Sequence, residues 1–301
     1  MSKLQSDRAI NTKNGNCVAV VTDSISQLPM EITQELNITV IPLTININGK
    51  PYFDGIDLTP QEIYHRMRCE NIVPTTTSPS PAQYQMVFEH CFASGYESVL
   101  CITLSSKLSM GYSSACLAAE KTSTQFPDRA IEVLDSRKVA IAEGFVVIRA
   151  AKSAAAGKHL PEVLQAAREA CRKTNIVATL DTIEYLERGR TIEKLNLILG
   201  SLIDIRPIIS IDVDGDLKPL RKVRGESQSL EAIVDQVVED VSGCEQLHLA
   251  VIAADAPVKA ERLKALALEK LEPDEIFYTE LTPVMGVHAG PGSLGLGYYY
   301  T

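Results

Sequence analysis

Val99-Leu100-Cys101-Ile102-Thr103 is a short apolar run that leads into the hydroxyl-rich segment Leu104-Ser105-Ser106-Lys107-Leu108-Ser109-Met110-Gly111-Tyr112. The run is typical of a buried strand, and the residues after it lead into a segment with helical periodicity. Other short runs rich in Val and Ile alternate with longer helical segments along the chain. This alternation predicts an α/β protein whose sheets are covered by helices.

The same periodicity places further strands and helices. Strands are predicted at residues 17–21, 38–47, 99–103, 131–134, 176–179, 205–213, 248–253, 275–279 and 294–300. Two helix starts show a polar cap followed by proline, at Thr59-Pro60 and Ser80-Pro81, and the first is a capping box with Glu62. That helix is predicted to run to about Arg68, and other helices are predicted over residues 139–156 and 162–173.

A break between Gly157 and Pro161 is the predicted linker, because glycine is a common helix terminator. We therefore expect two α/β domains, residues 1–157 and 158–301. The dipeptide Asp214-Gly215 lies between two apolar runs and predicts a tight hairpin. The second domain should accordingly contain an antiparallel ribbon.

Composition excludes several classes of protein. With 29 Lys or Arg and 38 Asp or Glu, the 301 residues carry a formal net charge of −9. The sequence has no basic stripe, so nucleic acid is not expected as a partner. Residues 1–16 are polar and no run of about 18 apolar residues occurs, so neither a signal peptide nor a membrane span is expected. Seven cysteines without a C-x-x-C pair favour a reducing compartment, and we expect a cytoplasmic protein.

Small residues surround the histidine in Gly286-Val287-His288-Ala289-Gly290-Pro291-Gly292, which lets a ligand approach the imidazole. His288 is therefore a candidate binding residue. Residues 290–295 also fit the dinucleotide expression G-x-G-x-x-G, but a strand rather than a helix should follow, so we interpret them as a glycine turn. The chain has no H-x-x-H pair and no G-x-x-x-x-G-K-[ST] loop, so neither a metal site nor an autonomous ATPase is expected.

Hydroxyl side chains are concentrated in two segments predicted as loops, Thr75-Thr76-Thr77-Ser78-Pro79-Ser80 and residues 104–112. Such loops lie beyond the carboxyl ends of strands in an α/β fold, where helix N-termini favour an anion. Asp23, in Val21-Thr22-Asp23-Ser24, could cap a helix or orient a hydroxyl. Two alternatives stay open: ordinary caps and turns, or a Ser-His-Asp hydrolase that lacks the Gly-x-Ser-x-Gly elbow.

Five segments in register give the chain a family resemblance. They are residues 21–24, Pro74-Thr75-Thr76-Thr77-Ser78, Ser105-Ser106-Lys107-Leu108-Ser109, Leu180-Asp181-Thr182-Ile183-Glu184-Tyr185-Leu186 and His288-Ala289-Gly290-Pro291-Gly292. Together they resemble the DegV family of bacterial fatty-acid-binding proteins, from about Cys17 to the end of the chain. No single motif would suffice to indicate the family, because each is short.

The resemblance implies a two-domain α/β fold that holds one long-chain fatty acid, with the acyl chain in an apolar tunnel and the carboxylate at the cleft between the domains. It implies a carrier without a cofactor, which presents its lipid to a separate fatty acid kinase for acyl phosphate formation. Implied carboxylate donors are Thr77, Ser109 and His288, with Thr76, Ser78 and Ser106 as close support. Asp23, Ser24, Gly290 and Gly292 are expected to support the site. The alternative is a Ser/His hydrolase or acyltransferase acting on a lipid ester.

Three positions depart from the family pattern: Met110 follows Ser109, Pro79 follows Ser78, and Gly189-Arg190-Thr191-Ile192 replaces the usual Gly-Gly-Arg-Ile. The most concentrated positive charge lies beyond the predicted hairpin, at Lys218, Arg221, Lys222 and Arg224. Because the protein is acidic overall, we interpret Arg221, Lys222 and Arg224 as a surface for the kinase, with a solvated ribbon as the alternative.

Overall fold

The computed structural model describes residues 18–70, 72–188 and 205–301. Cys17, where the first strand was predicted to start, and the segment at Arg190 lie outside these residues. Within the described part of the chain, no helix is both long enough and apolar enough to cross a membrane.

Strands and helices alternate through much of the described chain. In chain order the strands are β1 (Val18–Asp23), β2 (Ile38–Ile41), β3 (Thr44–Ile47), β4 (Lys50–Phe53), β5 (Thr75–Thr77), β6 (Ser98–Thr103), β7 (Ala130–Asp135), β8 (Thr174–Thr179), β9 (Ile205–Ile211), β10 (Leu217–Arg224), β11 (Leu247–Ala253), β12 (Glu275–Glu280) and β13 (Leu294–Tyr300). The helices are α1 (Met30–Glu35), α2 (Pro60–Cys69), α3 (Pro81–Ala93), α4 (Gly111–Gln125), α5 (Ile141–Ala155), α6 (Leu160–Arg172), α7 (Glu184–Arg188), α8 (Gly225–Asp240), α9 (Pro257–Lys270) and α10 (Pro283–Ala289).

The first sheet has four parallel strands in the order β2-β1-β6-β7. Its two central strands, β1 and β6, are buried along their whole length, as the continuous apolar run at Val99 predicts. Tyr84 and Phe88 of α3 pack with Val21 on one face. The other face packs against α5. The predicted α/β class is confirmed.

The second sheet has six strands in the order β10-β9-β8-β13-β11-β12. Only the β11–β12 pair is parallel among the described pairings of this sheet. Helices α8 and α9 cover one face, and α5 contacts β8 and β13 on the other. The predicted hairpin is confirmed, since Asp212 N donates to Asp216 O at 2.9 Å around Gly215.

A third, three-stranded sheet has the antiparallel order β4-β3-β5 and was not predicted. The prediction of one strand over residues 38–47 is wrong, because β2 ends at Ile41 and β3 belongs to this other sheet. Pro42 stands at the break, where a residue without an N–H cannot continue the ladder. The interpretation of Thr75–Thr77 as a loop is also wrong, since these residues form β5 and pair with β3.

The helix signals read from the sequence are confirmed where they are local. Capping boxes begin α2 at Thr59 and α3 at Ser80. Gly157 has a positive φ of +78° directly after α5, a conformation that glycine adopts without strain. Because α5 contacts strands of both large sheets, the structure does not mark a boundary at this glycine, and the domain limits stay a prediction.

Candidate functional site

A cavity of about 490 Å³ lies between the loops of the first sheet and the strands of the second. Most of its lining is apolar. The first sheet and its loops contribute Ile25, Leu104, Leu108 and Val139, and the second sheet contributes Ile176, Ile209, Ile211 and Ile252. Helix α10 closes a further side with Val284, Met285 and Ala289. A cavity with these walls suits a long apolar ligand.

Polar side chains meet in one cluster on the cavity wall. Thr76 Oγ1 lies 2.8 Å from His288 Nε2, and Ser78 Oγ lies 2.6 Å from Ser109 Oγ. All four of these residues line the cavity. The structure therefore brings together four of the six carboxylate-binding residues implied by the family resemblance. We call Thr76, Ser78, Ser109 and His288 the polar cluster.

Strand geometry decides which hydroxyls reach the polar cluster. Successive side chains of a strand point to opposite faces, so Thr76 and Ser78 share one face and Thr77 takes the other. Thr77 is exposed, and its Oγ1 accepts a hydrogen bond from Asn46 Nδ2 at 3.2 Å. It is absent from the cavity lining among the described residues. This geometry does not support Thr77 as a carboxylate donor, a role that stays a prediction.

The loop between β6 and α4 places Ser109. Its Oγ accepts a hydrogen bond from Gly111 N at 3.0 Å, which satisfies a free backbone N–H at the start of α4. Ser106 is exposed at the rim of the cavity, and its backbone N donates to Asp135 Oδ1 at 3.2 Å. Ser105 is fully buried and donates to Gly215 O at 2.7 Å, so it joins this loop to the β9–β10 hairpin. Met110, one of the departures from the family pattern, is 69% exposed at the cavity mouth.

His288 lies in the last turn of α10, directly before the glycine turn. Burial lowers the pKa of His288 below its ordinary value, because a charged imidazolium would lose solvation there. Gly286, two residues earlier, lets α10 pack against Tyr64, since a Cβ at this position would overlap the Tyr64 ring. The imidazole is thus held neutral beside the hydroxyl of Thr76 at neutral pH.

Gly290 and Gly292 form the turn after α10, with φ values of +79° and +87°. A Cβ at Gly290 would overlap the ring of Tyr185, and one at Gly292 would overlap the Asp181 carboxylate. The interpretation as a glycine turn that enters the last strand is confirmed. These glycines shape the backbone around the site.

Asp23 and Ser24 lie behind the cavity wall. Both carboxylate oxygens of Asp23 accept backbone hydrogen bonds, Oδ1 from Ile25 N at 3.0 Å and Oδ2 from Leu104 N at 3.1 Å. Asp23 therefore caps a short 3-10 turn, as predicted, and fixes the start of the Ser109 loop. Its complete burial raises its pKa from the ordinary value to about 7. Ser24 Oγ donates to Asp54 Oδ2 at 2.6 Å.

A Ser-His-Asp hydrolase would need a carboxylate on His288, and Asp23 does not fill that role. Its two oxygens are occupied by the backbone of Ile25 and Leu104. Ser293, the serine of the last glycine segment, donates to Ala289 O at 2.6 Å. Asp23, Ser293 and His288 therefore do not form a catalytic triad. Among the described residues, no group of three His, Cys, Asp or Glu side chains could hold a metal ion.

The basic residues of β10 do not form one surface. Arg221 lies opposite Ile208 on the face covered by α8, and its Nη2 donates to Gln236 Oε1 at 3.0 Å. Lys222 and Arg224 lie opposite Pro207 and Ile205, on the face that also carries the cavity-lining Ile209. Arg221 therefore lies apart from Lys222 and Arg224, because adjacent residues of a strand face opposite sides, and the partner surface stays a prediction.

Sequence comparison now identifies the family. A family model described as "Uncharacterised protein, DegV family" matches residues 17–301. The chain belongs to the DegV family. A DegV domain-containing protein of Caldanaerobacter subterraneus subsp. tengcongensis is 32% identical over 279 residues, which cover 93% of this chain and 97% of the relative.

Solved DegV-family structures share this fold. A DegV family protein from Thermus thermophilus, described by its fatty acid binding, is 29% identical with a TM-score of 0.87, over 94% of this chain and 99% of that one. DegV from Bacillus subtilis, described as a fatty acid binding protein, is 26% identical with a TM-score of 0.83, over 94% and 99%. Fatty acid binding is thus described for both of these family members. The resemblance inferred from the five motifs is confirmed.

Proposed function

We propose that this chain binds one long-chain fatty acid, with the acyl chain inside the cavity and the carboxylate at the polar cluster. The observation that carries the proposal is the cavity of about 490 Å³, whose apolar walls meet a cluster of uncharged hydroxyls and a half-buried imidazole. The fatty-acid-binding relatives from Thermus thermophilus and Bacillus subtilis support the same ligand class.

The acyl chain supplies most of the binding free energy in this proposal. Burial is worth about 0.8 kcal/mol per methylene, so a sixteen-carbon chain contributes roughly 12 kcal/mol before the cost of ordering it. The acyl chain would pack against walls built from Ile, Leu, Val and Met side chains, which have no polar groups to leave unpaired. The contacts to the carboxylate therefore need only to orient the ligand and to replace the hydrogen bonds with water that the carboxylate loses on burial.

The polar cluster can meet that requirement without a metal. Thr76, Ser78 and Ser109 each carry one hydroxyl donor, and His288 adds a ring N–H. These groups pair with each other, at 2.8 Å and 2.6 Å, so all four side chains are already held close together. A carboxylate that replaces these pairings would accept charge-assisted hydrogen bonds. This chemistry suits recognition, and we propose a carrier role for the chain.

The experiment is native mass spectrometry of the purified protein, followed by extraction and identification of any bound lipid. After delipidation, a fluorescent long-chain fatty acid and a chromogenic ester of the same length are offered in parallel. We expect saturable binding of the acid and no turnover of the ester. Ester turnover that depends on His288 would favour the hydrolase, and failure to bind any fatty acid would refute the proposal.

We further propose that the bound lipid is presented to a separate fatty acid kinase, and that Lys222 and Arg224 belong to the contact surface. Their position on the cavity face of β10 supports this choice, and the contact between Arg221 and Gln236 on the opposite face supports leaving Arg221 out of it. Reversing Lys222 and Arg224 to Glu should slow acyl phosphate formation by a cognate kinase at low salt. The Arg221→Glu variant is the matched control, and equal kinetics for both variants would contradict this surface.

A further inference from the structure

Asp54 is a buried carboxylate at the junction of three chain segments, and it belongs to none of the sequence motifs described above. Its side chain is 3% exposed. Oδ2 accepts a hydrogen bond from Ser24 Oγ at 2.6 Å, and Oδ1 accepts one from Val284 N at 2.9 Å. Both distances are typical of well-formed hydrogen bonds to a carboxylate.

Each segment held by Asp54 adjoins the cavity. Ser24 precedes Ile25, which lines the wall, and Ser24 Oγ also accepts a hydrogen bond from Leu43 N at 3.1 Å. The backbone N of Asp54 donates in turn to Leu43 O at 2.9 Å. Leu43 and Val284 are themselves lining residues. Asp54 thus ties the loop after β1 and the start of α10 together through its carboxylate, and its backbone N–H adds the turn before β3.

The contact with Val284 bears on the headgroup site because Val284 and His288 lie one turn apart on α10. This helix has seven residues, too few to hold its position by its own backbone hydrogen bonds. On its other side, Tyr64 OH donates to Leu281 O at 2.9 Å, and Gly286 allows the close approach of the Tyr64 ring. The direction of α10, and with it the distance from His288 to Thr76, depends on these anchors.

We infer that Asp54 is a positioning residue of the fatty-acid headgroup site, which fixes the His288 imidazole against Thr76 without touching the ligand. This inference rests on the proposed function. It predicts that the loss of Asp54 acts on recognition of the carboxylate and not on burial of the acyl chain. A general loss of protein stability would instead weaken the binding of every ligand of the cavity to a similar degree.

The test compares a long-chain fatty acid with the primary alcohol of the same length, which shares the acyl chain but lacks the carboxylate. In Asp54→Asn, an amide N–H₂ replaces one acceptor oxygen, so the side chain can accept from only one of Ser24 Oγ and Val284 N and no longer forms charge-assisted hydrogen bonds. We expect the preference for the acid over the alcohol to fall roughly tenfold, while affinity for the alcohol changes less than about twofold. Asp57→Asn is the matched control, since Asp57 is exposed in the same turn and its Oδ2 accepts only from Phe53 N among the contacts described.

Ser24→Ala is the second variant, should Asp54→Asn fail to fold. It removes one donor to Asp54 and should reduce the acid preference in the same direction by a smaller factor. The inference would be overturned if the ratio of acid affinity to alcohol affinity is unchanged in both variants, or if the affinities for the two ligands fall equally. Failure of the wild-type protein to bind the acid would refute the proposed function instead, so the two failures are distinguishable.

Discussion

Thr76 Oγ1 and His288 Nε2 lie 2.8 Å apart although 212 positions separate the residues in the chain. Thr76 belongs to β5 of the small three-stranded sheet, whereas His288 lies in the last turn of α10, which follows β12 in the chain. The pair therefore joins elements that no local signal connects. Its geometry makes the polar cluster sensitive to single side-chain changes on either element.

Thr76→Val should lower fatty-acid affinity by about 1–3 kcal/mol, because it removes a hydroxyl that pairs with the headgroup while keeping size and strand preference. Thr77→Val is the matched control on the opposite face of β5, and it should leave affinity unchanged. Titration with a fluorescent fatty acid measures both. Equal losses in the two variants would show that strand destabilisation, and not the hydroxyl, is responsible.

Binding should depend on the protonation of His288. Burial holds the pKa of His288 below its ordinary value in the free protein, and an adjacent carboxylate should raise it in the complex. The complex then binds a proton that the free protein lacks, so affinity should rise as pH falls through the bound-state pKa and weaken above it. Affinity measured across a pH series checks this. His288→Gln should flatten the profile, and a wild-type profile that rises with pH would contradict the assignment.

Gly290→Ala should destabilise the protein more than Gly157→Ala. Both glycines have positive φ values, +79° and +78°, and Gly290 combines this φ with a ψ of 158°, a region essentially confined to glycine. A Cβ at Gly290 would also overlap the Tyr185 ring, whereas a Cβ at Gly157 meets nothing within 4 Å. Urea denaturation of the two variants measures the difference. Equal midpoints and slopes would contradict this ranking.

The buried carboxyl of Asp23 should make stability fall with rising pH. Its folded pKa is raised to about 7 from an ordinary value of 3.8, mainly by desolvation. Between about pH 4 and pH 7 the folded protein therefore keeps a proton that the unfolded chain has released, and the free energy of unfolding decreases until it levels off above that range.

Urea denaturation at several pH values checks this dependence on Asp23. Asp23→Asn removes the titrating group and should reduce the slope, although Glu143, whose pKa burial also raises, leaves a remainder of the same sign. Exposed Asp57 provides the control, because Asp57→Asn should preserve the wild-type slope. An identical slope in Asp23→Asn would contradict the assignment of this effect to Asp23.

Local signals in the sequence determined much of the fold. The apolar run at Val99 forms a buried strand, and the Thr59 and Ser80 caps begin helices where predicted, because these interactions lie within a few residues of chain. The five family motifs likewise identified the family and most of the polar cluster. Motifs preserve residue types in order, and this is the information that a sequence carries directly.

Only the tertiary structure decided which of these side chains meet. Thr75–Thr77 becomes a strand because β3 lies beside it, and that pairing turns Thr76 toward the cavity and Thr77 away. The same alternation separates Arg221 from Lys222, and long-range packing gives Asp54 its partners Ser24 and Val284. Strand pairing and burial depend on residues distant in the chain, so the periodicity of a short segment does not determine them.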